Sequence, residues 1–574
     1  MKRLLTILAT LLLVIAAEAK IVKITLADGT VKVYPSAQLQ SIEFLDDGTL
    51  QLFTYQGEAI ELPTDVYDEV EIDDEMEVYN QVDTLLVNPL GKDLGVRQVV
   101  KVDYYYPSVD PQGEPTTLSA TMIVPKEIWD GEQKSDGIIL SNRFTATVHT
   151  RVPTAGFLLI DGFYLTCSLN LNYILVSSDF YGFGATARYP QAFCQGSTNG
   201  YASIHALLEA RKLLDKQSID QGPFLFNIGY SGGGFDCMAT QKVRDMEYRD
   251  EVWFDKSFAG GGPYDLDASY RAYVNDDLTD FMVGVALTVS STNECQKLGL
   301  DYSDLFVPAV GRNIPEWVLT KHHDEFWIND QIRAEGSHMA DLLGPKYRDL
   351  NTPESQAFME VLREQSLTTG WKPDPTQKIY LQHSREDTYV PYAGAKPLLE
   401  LLLANGYKNN IYAGRTNLQS NFVFKKLNHL EGAVIYILET LFALKAWPTI
   451  YNTDHTMKPE YAKMLAYEND LATVTIDLLK DVGIEPAWLK DLFGKLMAAS
   501  ESAEGNPALD FSNDENTEAQ TGSSLKTLLD LVNTYFSLMP ADEAEEKAMD
   551  HDCGTSAKVY IRRLRHLLVV MGLL

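Results

Sequence analysis

Cysteine is scarce in this chain: five in 574 residues, an odd number, with no CxxC pair and no HExxH motif. That excludes a dense disulfide scaffold and offers no zinc-site spacing. Cys167 and Cys194 are compatible with one bridge or with buried free thiols. Positive charge is short as well. Forty-eight Lys and Arg face 80 Asp and Glu, a net charge of −32 at pH 7. Such acidity repels phosphate backbones and anionic lipid, so nucleic-acid binding and electrostatic membrane docking are excluded. After the first residues, no apolar run reaches the ~18 residues of a membrane span. His322-His323-Asp324 sets two histidines side by side, but adjacent positions point to different helix faces, so neither metal nor other cofactor is expected.

What is present suits a large globular core, with 45% hydrophobic and 10% aromatic residues. Residues 1–19 read as a secretory signal. Lys2 and Arg3 precede an apolar run from Leu4 to Ile15, and Ala17-Glu18-Ala19 supplies a cleavage pattern. Cleavage after Ala19 makes the mature chain secreted or periplasmic. Residues 20–78 follow as a small β accessory module with an acidic linker or edge connection. Val22, Ile24 and Leu26 alternate before Asp28-Gly29, and Ile42 and Phe44 before Asp47-Gly48, as two similar hairpins.

Residues 79–450 have a different pattern. Val100 to Tyr104 and Leu118 to Val124 alternate as opening strands. Short apolar runs then recur at 137–140, 173–176, 224–228 and 378–381, separated by helical spacing at 202–214 and 390–403. Apolar strands alternating with helices predict an α/β fold with a mostly parallel sheet covered on both faces. Residues 264–376 read as a helical insertion, a lid or cap. Residues 451–574 read as a helical C-terminal extension with a polar loop at 501–524.

Gly229-Tyr230-Ser231-Gly232-Gly233 fits G-x-S-x-G, a nucleophile elbow. A serine on so tight a strand-to-helix turn leaves no room for side chains two residues either side, which is why glycine is wanted at Gly229 and Gly233. The strand 224–228 runs straight into it. A serine hydroxyl needs a base to take its proton, and the base needs a carboxylate to orient it. Asp387, in His383-Ser384-Arg385-Glu386-Asp387, and His429, in Asn428-His429, follow in the chain order serine, acid, histidine. Glu386, Asp265 and Asp267 are rival acids; His383 and His338 are rival bases.

Residues 227–233, 383–391 and 428–429, with Ser178-Asp179-Phe180-Tyr181-Gly182-Phe183-Gly184, resemble the α/β-hydrolase superfamily, in particular its secreted lipases and esterases. The resemblance spans about residues 96–263 and 376–447. It implies nucleophile Ser231, acid Asp387 and base His429. It also implies two backbone N–H donors for the oxyanion: Gly232, and Phe144 or Arg143 after the strand 137–140. Relatives often carry His-Gly where this chain has Asn142-Arg143. Arg143 fits a structural salt bridge or a site for a substrate carboxylate. The activity implied is hydrolysis of a small-molecule or lipid carboxylic ester through an acyl-enzyme. A peptidase with the same fold, and a binding protein on a dead hydrolase scaffold, are the alternatives.

Overall fold

The computed structural model describes residues 21–459, apart from 46, 56, 58, 74–79, 88–96, 156–170, 409–417 and 422–427. The segments read as a signal (1–19) and as a polar loop (501–524), and all but the first nine residues of the expected C-terminal extension, lie outside the described residues.

Two three-stranded antiparallel sheets open the chain. β1 (Ile21–Leu26) pairs with β2 (Val31–Pro35) and β6 (Tyr67–Asp73), while β3 (Leu39–Phe44), β4 (Leu50–Thr54) and β5 (Ala59–Leu62) form the second sheet. The two hairpins therefore go to different sheets. Val22, Ile24, Leu39, Ile42, Leu50 and Leu52 close one small core between them. The acidic segment read as a linker or edge is a strand over 67–73. β6 flanks β1 at a sheet edge, where Asp68, Glu69 and Glu71 cost little and discourage pairing with other chains. The module rests on the body through Arg188 N–H donating to Ala37 O (3.0 Å) and Tyr105 Oη donating to Gln38 Oε1 (3.0 Å).

The body is built on a nine-stranded sheet. Its members are β7 (Asn80–Val87), β8 (Arg97–Val109), β9 (Pro115–Pro125), β10 (Gly137–Asn142), β11 (Tyr173–Ser178), β12 (Phe224–Tyr230), β13 (Lys256–Gly260), β14 (Ile379–Gln382) and β15 (Leu418–Asn421). Their order across the sheet is β15-β14-β13-β12-β10-β11-β9-β8-β7. β7, β8 and β9 pair antiparallel; from β11 to β15 every pairing is parallel. Every residue of β10 to β13 is buried, as strands covered on both faces must be. The expected mostly parallel α/β sheet is thus present, and β7 extends it beyond the strands read from sequence.

Helices α1 (Gly196–Lys216) and α2 (Gly232–Glu247) cover one face. The insertion follows β13 as α3 (Leu266–Asn275), α4 (Met282–Cys295), α5 (Glu325–Glu335), α6 (Pro353–Gln365) and shorter turns. It shares one large apolar cluster with α2. α7 (Lys396–Ala404) leads to β15, and α8 (His429–Ile450) covers the opposite face. Side chains along β12 alternate accordingly: Phe226 meets Trp447 of α8, whereas Asn227 bonds the Cys237 carbonyl of α2. Beyond α8, residues 451–459 form a turn closed by a Tyr451–Met457 bridge.

Cys194 is a free buried thiol, as are Cys237 and Cys295, and Cys167 lies outside the described residues. Asp324 caps α5 by accepting from Phe326 N and Trp327 N, and His323 stacks on Trp327 at 3.7 Å. Among the described residues, no cluster of three potential metal ligands occurs, and no helix is long and apolar enough to cross a membrane.

Candidate active site

The elbow follows from crowding. Ser231 sits between β12 and α2 with φ 58° and ψ −125°, a backbone conformation that costs an L-residue about 1–3 kcal/mol. Its N–H donates to Gly260 O (2.8 Å), tying the turn to β13. A Cβ on Gly229 would stand 2.0 Å from Gly233 O, and one on Gly233 would stand 2.2 Å from Asn142 O. Both positions therefore exclude every residue but glycine. The turn leaves the Ser231 hydroxyl at the carboxyl end of β12 with the N-terminus of α2 beside it, where the helix favours negative charge.

Ser231, His429 and Asp387 come together. His429 Nε2 lies 2.9 Å from Ser231 Oγ, and His429 Nδ1 lies 2.6 Å from Asp387 Oδ2. A carboxylate can only accept, so Nδ1–H donates to Asp387 and the Nε2 lone pair faces the serine hydroxyl. Asp387 is fixed in turn: its Oδ1 accepts from Tyr389 N (2.9 Å) and Val390 N (2.8 Å). His429 is the first residue of α8, and Tyr230 grips it from beneath. The Tyr230 hydroxyl donates to the His429 carbonyl (2.6 Å), and the two rings lie 5.0 Å apart. Tyr389 stacks on the other side of the imidazole at 5.6 Å.

The rival residues have other partners. His383 is fully buried and donates from Nε2 to Val390 O (2.9 Å), with Asp387 Oδ2 3.8 Å away. Burial pushes its pKa down, so it is a neutral brace for the loop that holds Asp387. Asp265 caps α3 by accepting from Ala268 N, Asp267 pairs with Arg271, and His338 pairs with Asp277 on the surface.

Arg143, expected with Phe144 as a source of the second oxyanion donor, packs against the elbow at Gly233. The carbonyls of Asn142 and Arg143 both point at Gly233, within 2.2 and 2.5 Å of where its Cβ would be. In trans peptides this turns the N–H groups of Arg143 and Phe144 to the opposite side. Phe144 packs its ring on Tyr230 instead, at 5.9 Å. The residue facing Gly232 is Thr145: a Cβ on Gly232 would stand 2.7 Å from Thr145 Oγ1 and 3.6 Å from Thr145 N. The Arg143 guanidinium is buried, donating to the carbonyls of Asp179 (3.1 Å) and Phe144 (3.1 Å) over the Phe183 ring. These contacts hold a loop together.

A serine elbow after β12 of a mostly parallel sheet, with a carboxylate from the loop after β14 and a histidine from the start of α8 brought to it, defines an α/β-hydrolase fold. No family model matches the sequence. The Legionella pneumophila protein lpg1103 superposes with a TM-score of 0.52 at 19% identity, over 61% of this chain and 89% of its own. The rice cell wall degrading esterase LipA from Xanthomonas oryzae gives a TM-score of 0.49 at 17% identity, over 61% of this chain and 89% of its own. In sequence, the secreted triacylglycerol lipase LIP4 of Malassezia furfur is 22% identical over 318 residues, 53% of this chain. The chain spans 56% of that curated relative's length.

Proposed function

We propose that this chain is a serine hydrolase of carboxylic esters. The observation that carries the reading is the relay itself: carboxylate, imidazole and hydroxyl joined at 2.6 and 2.9 Å. Ser231 Oγ attacks the ester carbonyl while His429 Nε2 takes its proton. Asp387 holds the imidazole in the right tautomer and stabilises the imidazolium. The developing oxyanion meets the Gly232 N–H at the start of α2 and the Thr145 group opposite. His429 then returns the proton to the leaving alkoxide. Water, deprotonated by the same histidine, releases the acid from the acyl-serine. The likeness to a secreted lipase in sequence favours esters over peptides, and the signal pattern at residues 2–19 favours export.

The test is hydrolysis of p-nitrophenyl esters beside aminoacyl-nitroanilides, by the wild type and by Ser231→Ala. Ester turnover that disappears in Ser231→Ala is expected. Turnover of the anilides alone would assign a peptidase, and turnover of neither by the folded protein would assign a dead scaffold.

A further inference from the structure

The space beside Ser231 has a definite size. Ser231, Gly232 and Thr145 line a cavity of about 30 Å³ together with Tyr273 of α3, Phe281 just before α4 and Gly284 of α4. An apolar cavity of ~150 Å³ is what holds a benzene ring, so this one has room for one or two carbons. His429 does not line it. The leaving oxygen must lie beside His429 Nε2 to take its proton. What enters the cavity is therefore the part that stays on the serine, the acyl group. On the opposite flank, His429 lies between exposed neighbours, Asn428 and Leu430, the latter 41% exposed.

The wall that closes the cavity is bound to the relay. Phe281 stacks on Tyr389 at 4.9 Å and an interplanar angle of 7°, and the Tyr273 hydroxyl donates to the Tyr389 carbonyl. Thr388 Oγ1 donates to Asp280 Oδ2 (2.6 Å), next to Phe281. Tyr389 is the residue whose N–H holds Asp387 and whose ring covers His429. Moving the wall outward would pull on the loop that carries the acid, so cavity size and relay geometry come as one unit.

We propose that the acyl pocket admits one or two carbons beyond the carbonyl, so the substrates are acetate-class esters of larger alcohols rather than long-chain glycerides. This rests on the serine-hydrolase reading above. A longer chain would have to overpack Phe281 and Tyr273. Gly284 is the hinge of the specificity, because its absent Cβ would sit 3.1 Å from the Phe281 ring and 3.7 Å from Tyr273 Oη.

The experiment measures kcat/KM for p-nitrophenyl acetate, butyrate and octanoate with the full chain, Phe281→Ala and Gly284→Val. Active sites are counted by labelling with a small fluorophosphonate. The wild type is expected to fall by about tenfold or more from acetate to octanoate, the scale on which a pocket rejects excess methylenes. Phe281→Ala should raise the octanoate-to-acetate ratio by about tenfold, and Gly284→Val should lower the butyrate-to-acetate ratio. Faster octanoate than acetate hydrolysis by labelled wild type overturns the short-acyl pocket and leaves the hydrolase reading standing. So does a chain-length profile that neither variant moves. Folded protein that neither labels nor hydrolyses any ester overturns both.

Discussion

The two faces of the central sheet are held by different forces. Beneath α2 runs a chain of buried hydrogen bonds. Ser203 Oγ donates to Asn142 Oδ1 (2.7 Å), and Asn142 Nδ2 donates to Asn227 Oδ1 (2.7 Å). Asn227 Nδ2 reaches Ser257 Oγ (3.2 Å), Ser257 Oγ donates to Gln241 Oε1 (2.6 Å), and Gln241 Nε2 donates to Asp245 Oδ1 (2.7 Å). Asp245 then accepts from Trp371 Nε1 and Asp374 N where the insertion rejoins the sheet. Beneath α8 rings dominate, Phe226 on Trp447 (5.3 Å), Tyr230 on Tyr436 (5.2 Å) and Trp447 on Tyr451 (4.4 Å), and their hydroxyls add bonds such as Tyr436 Oη to Phe258 O (2.7 Å). Directional bonds fix the strands that carry the elbow, and ring packing seats the helix that begins with His429. Serine and histidine are thus delivered to one another by two different supports, cross-tied by Gly229 N to Tyr436 Oη (2.9 Å) and Tyr230 Oη to His429 O (2.6 Å), and the relay is where they meet.

That division can be broken at several points. The largest effect is expected at the junction. Asp387→Asn leaves the packing intact but removes the acceptor that sets the imidazole tautomer, so kcat should fall by about 10⁴, measured with an ester substrate on protein of unchanged circular dichroism. On the ring face, Trp447→Ala empties a fully buried site. Denaturant melts should show about 3–5 kcal/mol of lost stability. On the polar face, Asn142→Ala strands partners at Asn227 and Ser203. The expected loss is about 1–3 kcal/mol, and Asn142→Leu, which adds apolar contact, should not restore it. A smaller change is expected for Tyr230→Phe. The ring stays, the bond to the His429 carbonyl goes, and about 1 kcal/mol of stability goes with it; kcat should fall while KM holds.

The smallest effect concerns pH. His455 Nδ1 donates to Asp255 Oδ1 (2.7 Å) at the far end of the sheet, and that bond raises the histidine pKa above its ordinary value. A raised histidine stabilises the fold fully below the unfolded value of about 6.5 and loses that contribution as pH climbs through the folded value. The Tm difference between the wild type and His455→Ala should therefore shrink from about pH 6 to about pH 9. A difference that grew with pH would mean that the pair does not stabilise through the charged imidazole.

The same contrast explains what was legible in the sequence. Ring and aliphatic faces leave runs such as Tyr173 to Val176 and Phe224 to Ile228, and these are strands as read. Ser231 was legible because crowding leaves a glycine signature. Buried polar contacts leave none: Asn227 and Ser257 look like surface residues until their partners are seen. β6 was read as linker or edge because an edge strand can carry alternate acids, and β7 lies in the same polar stretch. Peptide direction at Asn142-Arg143-Phe144 was not legible, because no residue type marks which way a carbonyl points.

The most direct test of the relay is peptide mapping by mass spectrometry after reaction with a fluorophosphonate. One adduct, on Ser231, whose formation disappears in His429→Ala, is the expected result. Ester hydrolysis by protein that carries no adduct at Ser231, or an adduct on another residue, would contradict it.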